Sequence, residues 1–115
     1  MRGVAAMIID FEKMDELASE HLRGGEKVTY IRRFTDDKNK IMMGRLEPGA
    51  SVGYHRHEDD CEMVYILEGK GKVVLENGEE KVWAGVCHYC PKGEAHSLVN
   101  DSDKSLIFFA VVPKQ

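Results

Sequence analysis

The 115 residues are too few for more than one domain, yet enough to bury a single hydrophobic core. With 43% hydrophobic and 31% charged residues, the composition is that of a folded globular chain and excludes a disordered one. A net charge of −4, with lysines and arginines dispersed among acids, excludes the basic stripe on which nucleic-acid binding depends.

At the amino end, Val4 to Ile9 is an apolar run of six residues. It is too short for a signal-peptide core or a membrane span and reads as an edge strand, with the cytoplasm as the expected location. Asp10 to Arg23 carries helical spacing at Met14, Leu17, Ala18 and Leu22, closed by Gly24-Gly25. The period then changes. Lys27 to Phe34 and Ile41 to Leu46 read as strands joined by a turn at Asp36 to Asn39, and Ser51 to His57 as a third.

Cys61 to Leu67 is apolar on both faces, with Glu62, Val64 and Ile66 in one phase and Met63, Tyr65 and Leu67 in the other. One face should line the core, and the other should be covered by a second sheet or a second subunit. Lys72 to Glu76 and Glu79 to Trp83 flank Asn77-Gly78, a strong hairpin signal. Gly85 to Cys90, His96 to Val99 and the doubly apolar Ser105 to Val112 complete nine or ten short strands. That pattern indicates a β-sandwich or barrel. The expected organisation is one domain over 1–115, with a strand-and-helix extension over 1–26 and the barrel over 27–112. The doubly apolar strands also suggest a homodimer.

Cys61, Cys87 and Cys90 cannot form a complete disulfide set, which favours a reducing compartment. Cys87 and Cys90 form a lone Cys-x-x-Cys with no second pair for a zinc ribbon, so buried, inert thiols are the expected reading.

The chemistry lies in two blocks. His55 and His57 are two apart, so on a strand both imidazoles leave the same face. Glu62 follows His57 by five residues, an odd offset, so a turn through Glu58, Asp59 and Asp60 must return it to that face. His96 supplies a third imidazole. Histidine and carboxylate are the donors that borderline first-row metals prefer.

Gly49 to Gly69 reads G-x5-H-x-H-x4-E-x6-G, and Gly85 to Asn100 reads G-x5-P-x-G-x2-H-x3-N. These blocks resemble the two motifs of the cupin superfamily, both complete, and the amino-terminal segment resembles that of small single-domain bacterial cupins. The resemblance implies an all-β double-stranded β-helix, or jelly roll, with His55, His57, Glu62 and His96 converging on one metal ion. Gly49, Gly69, Gly85 and Gly93 then read as turn glycines with unusual φ, Pro91 as a turn former, and Asn100 as structural. One departure is Val86, where many members carry an acid.

Three imidazoles and one carboxylate on an octahedral ion leave two positions for water or substrate, which suits Mn or Fe best; Ni, Co and Zn remain admissible. His88, inside the second motif, is a weaker candidate for an acid–base role. His21 reads as a surface residue, and Glu58, Asp59 and Asp60 as a solvated loop. Tyr54 and Tyr65 lie in the phase opposite a ligand, which favours packing or an interface. Trp83 and either Phe108 or Phe109 are expected as core or subunit-interface anchors. Met42, Met43 and Met63 suit an apolar wall, and Arg45 and Arg56 could meet an anionic substrate.

Cupins host several chemistries, so fold alone does not select one. The leading expectation is a metalloenzyme acting on a small oxygen-rich or anionic metabolite by isomerase, dioxygenase or decarboxylase chemistry. The alternative is a non-catalytic small-molecule binding or sensing protein. An inward-facing His88 would favour the enzyme, and an apolar cavity the binder.

Overall fold

Short alternating segments fold into strands here because each can bury one face against a second sheet. The computed structural model describes residues 5–115. Its strands are β1 (Leu17–Glu20), β2 (Val28–Thr35), β3 (Asn39–Leu46), β4 (His55–Arg56), β5 (Glu62–Glu68), β6 (Lys70–Leu75), β7 (Gly78–Trp83), β8 (Cys87–Cys90), β9 (Ala95–Val99) and β10 (Leu106–Pro113). They form a six-stranded sheet of order β1-β2-β3-β10-β5-β8 and a four-stranded sheet of order β4-β9-β6-β7. All the pairings are antiparallel. This is the double-stranded β-helix expected from the sequence.

The core lies between the sheets. Strand β10 alternates without a break: Leu106, Phe108, Ala110 and Val112 are buried, and Ile107, Phe109 and Val111 are only partly covered. Val64 and Ile66 of β5 point into the same core, which places Glu62 on its inner face as well. Phe108 lies against Gly44, its pairing partner on β3; a Cβ at Gly44 would sit 2.2 Å from the ring, so only glycine admits it. The four motif glycines at 49, 69, 85 and 93 all take positive φ, between 83° and 100°, as their turns require.

The amino-terminal segment differs from expectation. Asp10 to Arg23 is not a helix: a 3₁₀ turn at Phe11–Lys13, capped by the Asp10 carboxylate, leads into β1, and a second 3₁₀ turn spans Leu22–Gly24. A lone helix of this length is marginal in water, whereas the open edge of β2 offers backbone partners from Val28 to Ile31. Edge pairing therefore overrides the periodicity. Residues 5–9 form no strand, and Val4, the first residue of the expected edge strand, lies outside the described residues. Among the described residues no helix is long and apolar enough to cross a membrane.

The hairpin forms where expected, but its two loop residues are Glu76 and Asn77. Gly78 is already paired with Leu75 at φ 141°, a conformation that side chains avoid. Of the large aromatics, Phe108 is in the core, whereas Trp83 is 56% exposed on β7 and is no core anchor. Cys61 and Cys90 are buried, and burial together with the nearby Glu62 charge pushes the Cys90 thiol up to about 11. Cys87 is exposed, contrary to expectation, because residues three apart on a strand face opposite ways.

Candidate metal centre

Three backbone features aim four side chains at one point. His55 and His96 are direct partners across β4 and β9, so their imidazoles emerge side by side. His57 follows on the same face, held by backbone bonds between its own N–H and the Glu94 carbonyl and between the Gly93 N–H and its own carbonyl. Glu62 arrives from the other sheet on β5, after the turn at Glu58 to Asp60 has restored its phase.

Donor atoms of His55, His57, Glu62 and His96 all lie within 4.8 Å of one another. The ring centroids of the three histidines form a triangle with every edge 4.9 Å. His57 Nε2 lies 3.0 Å from His96 Nε2; the Glu62 Oε1 is 3.2 Å from the first and 2.9 Å from the second. His57 and His96 are buried, as is Glu62, while His55 is half-buried at the open side.

The outward ring nitrogens are occupied. His55 Nδ1 donates to the Gly53 carbonyl at 2.7 Å, and His57 Nδ1 to the Asp60 carboxylate at 2.6 Å. Both acceptors take a proton from Nδ1, so in the neutral rings the Nε2 lone pairs turn inward. His96 Nδ1 meets His88 Nε2 at 2.9 Å. Two imidazole Nε2 atoms facing each other and a carboxylate need a proton or a cation between them. The donor set thus fits a divalent ion.

Electrostatics point the same way. Burial would raise Glu62, but hydrogen bonds and charge from His57 and His96 outweigh it and hold the carboxyl down to about 2. His57 is raised, chiefly by its hydrogen bond to Glu62, against burial and with help from Asp60. His55 is lowered by burial. The raised His57 thus favours a proton beside the Glu62 carboxylate, which a cation held there would displace, so affinity would rise with pH. Burial, with the neighbouring His96, lowers His88 to about 4.

A cavity of about 100 Å³ opens onto the cluster, with His55, His57 and Glu62 at its floor. Met42, Val52, Phe108 and Val112 give it apolar walls, and Arg23, Arg33 and Lys40 also line it. A larger cleft of about 330 Å³ lies beyond His88, beside the β6–β7 hairpin, but none of the four clustered side chains lines it. The larger of the two is therefore not the one that reaches the donor cluster.

Several sequence expectations are thereby corrected. Arg45 is tied to Glu16 at 2.8 Å and stacks on Tyr30, and Arg56 bonds the Gly93 carbonyl; neither lines the cavity. Met43 and Met63 pair with outward-facing residues of β10, leaving Met42 in the wall. Asp60 is no mere solvated acid, since it grips His57. Arg33 and Lys40 escaped notice because they sit in strands with nothing local to mark them, although their inward phase with Ile31 and Met42 was readable. Tyr54 and Tyr65 are exposed, as their phase foretold, and His21 is at the surface.

Comparison with known proteins agrees with this geometry. The family profile described as Cupin domain matches residues 42–112. An oxalate-binding protein of Thermotoga maritima is 42% identical over 119 residues, covering 97% of this chain and 98% of that protein. The crystal structure of a predicted oxalate decarboxylase from Thermotoga maritima superposes with a TM-score of 0.89 at 27% identity, over 95% of this chain and all of that one. A glucose-6-phosphate isomerase of Thermococcus onnurineus is 35% identical over 65 residues, which is 52% of this chain and 34% of the isomerase.

Proposed function

The chain belongs to the cupin domain family, and from that premise we propose that it is a metal-dependent binder of a small oxygen-rich anion of the oxalate class. His55, His57, Glu62 and His96 hold one divalent ion in this reading. Three imidazoles and one carboxylate are donors that suit Mn or Fe, with Ni, Co and Zn admissible.

One observation carries the choice of ligand: a cavity with three cationic side chains and a donor cluster at its floor. Among the described residues, none of Arg23, Arg33 and Lys40 takes part in an ion pair. Their charge is available to an anion entering from solvent. The cavity is well below the roughly 300–1,000 Å³ of drug-sized sites, so the ligand is a small acid. A bound ion would supply Lewis-acid attraction for carboxylate or hydroxy-carbonyl oxygens. The side chains do the rest: Arg33 and Lys40 orient the charge, and Phe108 and Val112 exclude water.

Binding leads over catalysis because of what the cavity contains. His88 faces inward, yet it stands behind His96 and does not line the cavity. Asp60, the remaining carboxylate there, is engaged by His57. Among the described residues, no histidine or carboxylate outside the donor cluster and Asp60 lines the cavity. A metalloenzyme remains the second reading, favoured by the coordination positions that four protein donors leave on an octahedral ion.

Calorimetric titration of Mn-loaded protein with oxalate tests this. Saturable binding is expected, weakened about 10-fold in the Arg33→Ala/Lys40→Ala double variant, the order expected for exposed charge-assisted contacts. Equal affinity in both proteins would remove the cationic wall from recognition. Sustained release of CO2 from oxalate under air would replace the binder by the enzyme.

We also propose a homodimer through the outer face of the large sheet. Tyr65 and Tyr89 are exposed there beside Met63 and Phe109, on neighbouring strands in register. Phe11 covers part of this face by packing edge-on against Phe109, so the amino-terminal segment does some of the covering expected of a partner. A light-scattering mass of a single chain at micromolar concentration would rule the dimer out.

A further inference from the structure

His88 is the one histidine near the cluster that contributes no donor to it. It lies on β8 opposite Val64 of β5, which puts it in the same inward phase as Glu62. Its ring faces His96 with centroids 5.1 Å apart and planes tilted by 33°. Among the described residues it is the one hydrogen-bonding partner of His96 Nδ1, at 2.9 Å. His96 itself is 2% exposed, so solvent has little access to that nitrogen.

We infer that His88 is a positioning residue for the ion: its Nε2 accepts the proton of His96 Nδ1 and thereby keeps His96 Nε2 free to coordinate. The inference rests on the metal reading above and adds a residue outside its ligand set. A neutral imidazole carries one proton. If Nε2 is to give its lone pair to a cation, that proton sits on Nδ1 and needs an acceptor. Gly53 serves His55 in this way and Asp60 serves His57. His88 gives the third histidine the same support, as its Nδ1-protonated tautomer. Removing it leaves a buried N–H without a partner and favours the alternative tautomer, whose Nε2 proton occupies the seat of the ion. Partners of metal-bound histidines typically tune affinity 10- to 100-fold.

The test compares Mn2+ affinity, by competition with a fluorescent chelator, in the parent protein, His88→Phe and His88→Gln, beside thermal melts of the metal-free forms. The glutamine carbonyl can reach the same nitrogen as an acceptor; phenylalanine offers none. A 10- to 100-fold weaker affinity in His88→Phe, restored to within about threefold in His88→Gln, with similar metal-free melting, is the expected pattern. Should His88→Phe not fold, His88→Asn, whose shorter amide stops short of Nδ1, takes its place with the same expectation. Equal affinity in the parent and every variant, or equal loss in phenylalanine and glutamine, overturns the role of His88 while leaving the ion in place. A parent protein that takes up no Mn2+ overturns the metal reading itself and this inference with it.

Discussion

Alanine at His57 or at Glu62 is expected to abolish metal binding while the barrel stays folded. Four-donor sites bind zinc with apparent free energies of about 10–16 kcal/mol, so one donor accounts for roughly 3 kcal/mol, or at least about 100-fold in affinity. Losing Glu62 should cost more, since it removes the one anionic donor and leaves three neutral imidazoles to hold a divalent charge. Neither side chain belongs to the apolar cluster between the sheets, so each variant should melt cooperatively. Elemental mass spectrometry on untagged protein reads the outcome directly. About one Mn or Fe per chain is expected in the parent, with neither metal retained by the variants. Stoichiometric metal retained in both variants would show that other residues hold it.

Asn100→Ala is expected to have the largest effect on stability, with metal affinity left alone in whatever fraction folds. The side chain is fully buried and acts as a knot. Its Nδ2 donates to the carbonyls of Leu46 and Lys104 at 2.8 and 2.7 Å, and its Oδ1 accepts from the backbone N–H and the hydroxyl of Ser102. These bonds tie the end of β3 to the loop leading into β10. Alanine takes the side-chain donor from the Leu46 carbonyl in the core and the acceptor from the Ser102 N–H, at about 1–3 kcal/mol each, while the Lys104 carbonyl keeps the Ser102 hydroxyl. A total near 3–4 kcal/mol lowers Tm by about 12–20 °C in a chain of this size. Calorimetry showing a fall below about 3 °C would mean that solvent fills the gap without cost.

Both residues were visible in the sequence, for different reasons. Asn100 closes the second motif and was read there as structural. Its four contacts show the cause: a side-chain amide can donate to two carbonyls and accept from a turn at once. Glu62 was placed by phase, since it could reach the two histidines only if the acids before it formed a turn. Asp60 then grips His57, which no spacing rule foretells, because the acids of that turn look alike until the chain has bent.

Much of the strand pattern was legible because alternation with period two is a local signal, written into each segment. The amino-terminal stretch departs from expectation because Met14, Leu17, Ala18 and Leu22 satisfy a helical period, while the reason Leu17 to Glu20 pair as a strand is the edge of β2, which no local window contains. The cationic side chains escaped for a related reason. Arg33 and Lys40 lie in adjacent strands, offset by the register that sets Thr35 against Lys40, and face histidines that lie more than a dozen residues further along the chain. Arg45 and Arg56, which looked the better candidates, are drawn away by Glu16 and by the Gly93 carbonyl.

What the sequence carried by itself is many of the strand phases, the shared face of His55 and His57, and two motifs whose resemblance to the cupin family implied that Glu62 and His96 join them, because donor type and spacing are local signals. Only the tertiary structure decided which cations face the cavity, that His88 stands behind His96, and that the larger cleft lies away from the four donors. Those outcomes depend on strand order and on the packing of one sheet over the other, where residues distant in sequence become neighbours and compete for the same partners.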